Sequence, residues 1–151
     1  LFRDSDTNAA NVVDNDSATQ STLINALVEF GLNDLIGSYK GFINLGPQHV
    51  FGDFPFTEYR DRLVLEILES IPVDASLVRA ATRLKSLGYT IALDDVFVRP
   101  ETELLFPIVD IVKVDLSLIP ADDLARQIAI LRKYPNVKVL AEKVETPETY
   151  K

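Results

Sequence analysis

The sequence predicts an α/β fold whose parallel sheet curls in the manner of a (βα)8 TIM-like barrel. Three observations carry that prediction. Short, β-favouring apolar runs recur about every 20–30 residues, the spacing of consecutive strand–helix units. The runs read as apolar on both faces, as strands covered on each side do. Each also carries or ends on a polar residue able to bind a metal or handle protons, and a parallel barrel gathers its strand ends at one mouth.

Taken in order, Asp4 to Thr22 is rich in Asp, Asn, Ser and Thr and reads as a loop running into a helix capped near Asp16 or Ser17. Leu23, Ile24, Leu27 and Phe30 recur at helical spacing before Gly31 closes that helix. Gly41 to Leu45 is a strand ended by Gly46-Pro47, and Val50 to Thr57 reads as irregular, broken by Gly52 and Pro55. Leu63 to Leu68 suits helix or strand by periodicity, and its Leu and β-branched content with Pro72 after it favours a buried strand. Asp74 caps an amphipathic helix with Leu77, Val78, Ala81 and Leu84 on one face and Gly88 as its stop. Tyr89 to Leu93 is the next strand, followed by a short helical piece from Thr102 to Phe106. Ile108 to Leu116 is a further strand, and Asp122 starts a helix through Leu124, Ile128 and Leu131. Pro135-Asn136 turns the chain into Val137 to Ala141, and Thr146-Pro147 has the form of a helix start.

A complete barrel of this kind takes about 250 residues. The 151 residues are therefore expected to form a single domain over 1–151, incomplete at both ends, with its C-terminal strands outside the sequence. A sheet cut in this way has open edges, so either further chain or a second copy in a homodimer is expected to cover them. A formal charge of −8 excludes DNA as the main partner, since phosphate backbones demand clustered Lys and Arg. No apolar run is long enough for a bilayer. The absence of cysteine rules out disulfides and thiolate metal sites and fits a cytoplasmic setting.

The candidate chemistry lies at the strand ends. In Ile111-Val112-Lys113-Val114-Asp115, period two places Lys113 and Asp115 on one face. A lysine there must pair with carboxylates, and beside metal ions it can accept a proton from an attacking water. Asp94 and Asp95 form a carboxylate pair at a strand exit, a pattern that also suits turns and caps. Glu66 stands inside an apolar strand, where an unpartnered carboxylate costs several kcal/mol. Glu142 follows Val139-Leu140-Ala141 and invites the same argument, while Asn44 offers a neutral amide oxygen. The set is rich in oxygen and lacks His and Cys, which favours Mg²⁺ or Mn²⁺ over Zn²⁺. Two such ions could orient a water for in-line displacement at phosphorus. His49, the only histidine, is given no role.

These residues resemble the EAL-domain family of cyclic di-GMP phosphodiesterases, built on a modified (βα)8 barrel. The motifs match in order: Asn44 in Phe42-Ile43-Asn44, Glu66 in Leu65-Glu66-Ile67-Leu68-Glu69, the Asp94-Asp95 pair, Lys113 to Asp115, and Glu142 with Glu145. The resemblance implies that Asn44, Glu66, Asp94, Asp95 and Glu142 hold two metal ions and that Lys113 assists the nucleophilic water, with Glu66 and Asp94 beside it in the catalytic set. It further implies that Arg3 touches the ligand phosphate, that Asp115 and Glu145 belong to the ligand-binding set, and that Glu69 anchors the loop after the Asp pair. The wording from Phe42 to Glu69 is similar to a divergent branch joined to a C-terminal HDOD domain. The resemblance leaves the family's name-giving Glu and a ligand-contacting Gln outside this chain. It also sets Val96-Phe97-Val98-Arg99-Pro100 where the family carries a glycine-containing loop. That difference opens the alternative of a catalytically degenerate module that regulates by nucleotide or protein binding. A barrel enzyme acting with Mg²⁺ on another phosphorylated substrate is the third reading.

Overall fold

The computed structural model describes residues 9–12, 40–52 and 60–144. Six strands form one all-parallel sheet whose spatial order is their order in sequence, the arrangement of a (βα) barrel. They are β1 (Ala9–Val12), β2 (Lys40–Leu45), β3 (Leu63–Ile67), β4 (Thr90–Leu93), β5 (Ile111–Asp115) and β6 (Lys138–Glu142). Among the described residues the helices are α1 (Pro47–Phe51), α2 (Ala75–Ser86), α3 (Pro100–Glu103) and α4 (Ala121–Leu131).

Alternation along the strands divides the sheet into two faces. Ile43, Leu45, Leu63, Leu65, Ile67, Ile91, Leu93, Val112 and Val114 join one hydrophobic core with Leu77, Ala80, Ala81 and Leu84 of α2 and Leu131 of α4. Burying each of the larger aliphatic side chains there contributes roughly 1.5–3 kcal/mol. The alternate positions carry Asn44, Glu66, Ala92, Lys113 and Asp115, all buried outside that apolar core. Register aligns them: Asn44 is opposite Glu66, Glu66 opposite Ala92, and Asp115 opposite Glu142. These positions form a polar row on the second face that is broken at β4 by Ala92, whose register partner on β5 is Ile111, two residues before Lys113.

Local chemistry explains the element ends. Asp74 adopts an extended backbone and its Oδ1 accepts from Leu77 N–H at 2.9 Å, closing the first turn of α2. Gly88, with φ 95°, reverses the chain into β4 in a region that side chains rarely adopt.

Four expectations change. Ala9–Val12, read as loop, is a strand, because parallel pairing with β2 overrides a segment with little β propensity of its own. Val50 and Phe51, read as irregular, complete α1, in which Pro47 at the first position presets the helical φ and Val50 is fully buried. The strand read from Ile108 begins only at Ile111: Ile108 and Val109 N–H both donate to Leu105 O, in a turn whose apolar residues Leu105, Phe106 and Val109 are buried without being extended. The helical piece read from Thr102 starts earlier, at Pro100, and yields to turns after Glu103. The helix read from Leu23 to Phe30 and the helix start at Thr146-Pro147 lie outside the described residues.

Replacing Asp74 by Ala leaves the first-turn amide of α2 without its acceptor. We expect a loss of about 1 kcal/mol of stability, seen as a lower urea midpoint with an unchanged slope.

A lysine-centred acidic site at the strand ends

Lys113 occupies the middle of the polar row. Its Nζ lies 2.9 Å from Glu66 Oε1, 2.8 Å from Asp94 Oδ1 and 3.0 Å from Glu142 Oε1, joining side chains from β3, the end of β4 and β6. Only the Asp94 contact has the direction of a donated hydrogen bond; the Glu66 contact is an ion pair, and both Glu66 oxygens lack a hydrogen-bond partner among the described residues. Glu66 is 0% and Lys113 3% exposed, so the pair is removed from water. Removing Lys113 would leave the buried Glu66 without its cation, at a cost of about 3–5 kcal/mol, whereas Lys113 without Glu66 keeps Asp94 and Glu142.

Burial is the largest influence on Glu66 and outweighs the attraction of Lys113, so its pKa is pushed up to about 7. Burial opposes the charge of Lys113 as well, but Glu66 and the hydrogen bond to Asp94 override it and hold the ammonium well above its ordinary range. Lys113 is a fixed cation in this arrangement. Asp95 is also raised, first by burial and then by the charges of Asp94, Glu142, Asp115 and Glu69 around it.

The sequence-predicted residues sort into three groups. Asn44, Glu66, Asp94, Lys113 and Glu142 belong to one polar row or to the cluster on Lys113. Asp94 and Asp95 also face Glu69, with carboxylate oxygens of all three within 4.8 Å of one another. Glu69 was expected only as a loop anchor; its place two residues beyond β3 was the available signal for a ligand role. Asp115 is occupied: its Oδ1 accepts from Ser117 N–H at 2.8 Å and from Ser117 Oγ–H at 2.5 Å, and its Oδ2 is paired with Lys143. The hydrogen bond from Lys143 is the leading reason that the Asp115 pKa lies below the usual carboxylate range. Lys143 has a left-handed φ of 54°, directly after Glu142. Arg3 and Glu145 lie outside the described residues.

The donor set suits a hard divalent cation. Among the described residues, Asn44 Oδ1 and both Glu66 oxygens are buried acceptors without a hydrogen-bond donor, and every candidate ligand atom is an oxygen. Buried acceptors of this kind need a partner, and Lys113 supplies one positive charge for three carboxylates.

Next to the cluster, a cavity of about 250 Å³ opens between the segments that follow β3 and β4. Glu69, Asp94, Asp95 and Arg99 stand at its polar side, with Ile71, Leu77 and Leu105 on the apolar side.

Sheet and cluster together define a parallel α/β domain with an acidic, lysine-centred site at the carboxyl ends of its strands. No family model matches the chain. Known proteins do. The chain is 34% identical to the uncharacterized protein YuxH of Bacillus subtilis over 158 residues, covering 100% of this chain and 38% of that protein. It is 32% identical to the cyclic di-GMP phosphodiesterase CdgJ of Vibrio cholerae over 152 residues, covering 99% of this chain and 35% of that protein. It thus spans little more than a third of the length of these curated relatives. Among solved structures, the EAL domain of Mycobacterium smegmatis DcpA superposes with a TM-score of 0.64 at 25% identity, covering 93% of this chain and 74% of that one. Bacillus subtilis YkuI, a protein with an EAL domain solved with cyclic di-GMP and calcium, shares the fold at a TM-score of 0.65 and 18% identity, over 91% of this chain and 41% of its own. The chain has the fold of EAL domains.

The raised pKa of Glu66 has a consequence for stability. Its folded value of about 7 exceeds the ordinary 4.5, so the folded state holds a proton that the unfolded chain has released. In metal-free protein, stability should fall as pH rises from about 4.5 to about 7. Glu66→Gln should flatten that decline, as read from urea midpoints across the window; an unchanged slope would count against the buried pair.

Proposed function

We propose that this chain is the phosphodiesterase domain of a cyclic di-GMP signalling protein and hydrolyses cyclic di-GMP to the linear dinucleotide pGpG by metal-assisted attack of water. The observation that carries the reading is the convergence of Glu66, Asp94 and Glu142, from β3, the end of β4 and β6, on Lys113 of the intervening β5. The activity named for the Vibrio cholerae relative supports it.

Asn44, Glu66, Asp94 and Glu142 would hold one cation, and Asp95 with Glu69 would extend the site to a second; Mg²⁺ or Mn²⁺ fits this oxygen set. Bound there, the ions would polarise the phosphodiester, acidify the attacking water and draw carboxylate charge away from Lys113. The protein does the rest. Lys113, held protonated by its three partners, keeps the carboxylates at fixed separations and places a positive charge where phosphate charge must be received. With the carboxylates engaged by the ions, Lys113 would first give up its proton to solvent, and its free amine would then be placed to take one from the attacking water. Asp115 serves by bracing the end of β6, because its contact with Lys143 fixes the residue next to Glu142. By the motifs they match, Arg3 would contact the ligand phosphate and Glu145 would join the ligand-binding set.

The alternative of a degenerate regulator is weaker. A module that only binds has no need of a buried Glu–Lys pair that costs desolvation and leaves acceptors unsatisfied. The same reading sets the domain in the cytoplasm, as a homodimer, with an HDOD domain C-terminal to it in the full protein. The charge of −8 argues against DNA as a partner, and no described helix is long and apolar enough to cross a membrane.

Incubating the protein with cyclic di-GMP and Mn²⁺ should release linear dinucleotide, and a chelator should stop it. Lys113→Ala should lower kcat roughly 10²–10⁴-fold. Nucleotide binding without linear product from the unaltered protein would sink the enzymatic reading and leave the regulator.

A further inference from the structure

The segment after the acidic pair changes its allegiance between strands. Asp94 N–H donates to Ile67 O of β3 at 3.1 Å, whereas Val96 N–H donates to Lys113 O of β5 at 2.9 Å. The turn between them is made at Asp95, whose φ of 41° lies in the left-handed region, costly for a residue with a Cβ. Such a turn persists only where the residues after it are held. Thr102 Oγ1 donates to Phe97 O at 3.2 Å and accepts from Arg99 N–H at 2.9 Å, while Val96 and Val98 bury their side chains. Val98 N–H donates to Gln127 Oε1 at 2.9 Å.

Gln127 is a fully buried amide on α4. Its other end is also engaged: Nε2 donates to Asp123 Oδ2 at 2.8 Å, and Asp123 is itself gripped by Arg126, with Nε 2.5 Å from Oδ1 and Nη2 3.2 Å from Oδ2. A buried carboxamide satisfied at both ends is rigid, and each bond restricts the other. The chain of contacts runs from Arg126 at the surface through Asp123 and Gln127 to the backbone three residues beyond Asp95.

We propose that Gln127 is a positioning residue for the Asp94–Asp95 pair: by accepting from Val98 N–H it locks the left-handed turn and fixes both carboxylates relative to Lys113 and Glu69. The proposal rests on the cation-binding reading of that pair and adds to it a residue that never touches the ions.

Two readouts test it, amide hydrogen exchange and Mn²⁺ affinity by titration calorimetry. Gln127→Leu should speed exchange at Val96 and Val98 at least tenfold and weaken Mn²⁺ binding about tenfold, the effect of losing an outer-shell partner. In the double variant Gln127→Glu with Asp123→Asn, position 127 still accepts from Val98 N–H and only the bond to position 123 exchanges its donor, so both readouts should be restored. Leu131→Ala, a core deletion on the same helix, should lower the unfolding midpoint and leave both readouts unchanged. Wild-type exchange and affinity in Gln127→Leu, or losses in Leu131→Ala matching those of Gln127→Leu, would overturn the proposal. Failure of the unaltered protein to bind Mn²⁺ would instead overturn the phosphodiesterase reading, with exchange at Val98 still deciding whether Gln127 holds the turn.

Discussion

A lysine ammonium shielded from water and surrounded by three carboxylates sets the terms for this domain. Lys113 cannot be buried without Glu66, Asp94 and Glu142, and those three cannot be brought together without it. Each belongs to a different strand or strand end, so the contact also fixes the strands in register. A slip by one residue would turn Glu66 or Lys113 into the apolar core and bring Leu65 or Val112 to the polar row. Electrostatics and hydrophobic patterning therefore enforce the same arrangement.

The remaining polar groups extend that arrangement outward. Asp115 is spent on Ser117 and Lys143 and steadies the strand that delivers Glu142. Glu69, Asp94 and Asp95 gather at the entrance to the neighbouring cavity. The site is thus graded: a dry lysine at its centre, acidic ligands around it, and loop residues at its mouth. Rigid strands set the central geometry and the segments after them set the periphery, a common division between scaffold and function.

Much of this was legible in the sequence because period-two patterning is strict where one face is polar and the other apolar. Lys113 and Asp115 could be placed on one face from spacing alone, and Glu66 stood out as a carboxylate inside an apolar strand. The apolar run from Ile108 misled, since a buried turn and a buried strand have the same composition and only hydrogen bonding tells them apart. Ala9–Val12 carried no local signal, because its strand character comes from β2 beside it. The consumption of Asp115 by Lys143 could not be foreseen either: it depends on a left-handed backbone turn that no spacing rule predicts for lysine. Gln127 was invisible for a similar reason, as a single glutamine within a helix gives no hint of which distant amide it will meet.

The sequential strand order has a bearing on biosynthesis. Neighbours in the sheet are also neighbours in sequence, so a nascent chain leaving the ribosome can add one strand at a time to a growing edge. Lys113 then emerges after Glu66 and Asp94, finding two counterions already in place, and only the arrival of Glu142 completes its shell. In that order of addition the ammonium would meet two counterions before the third.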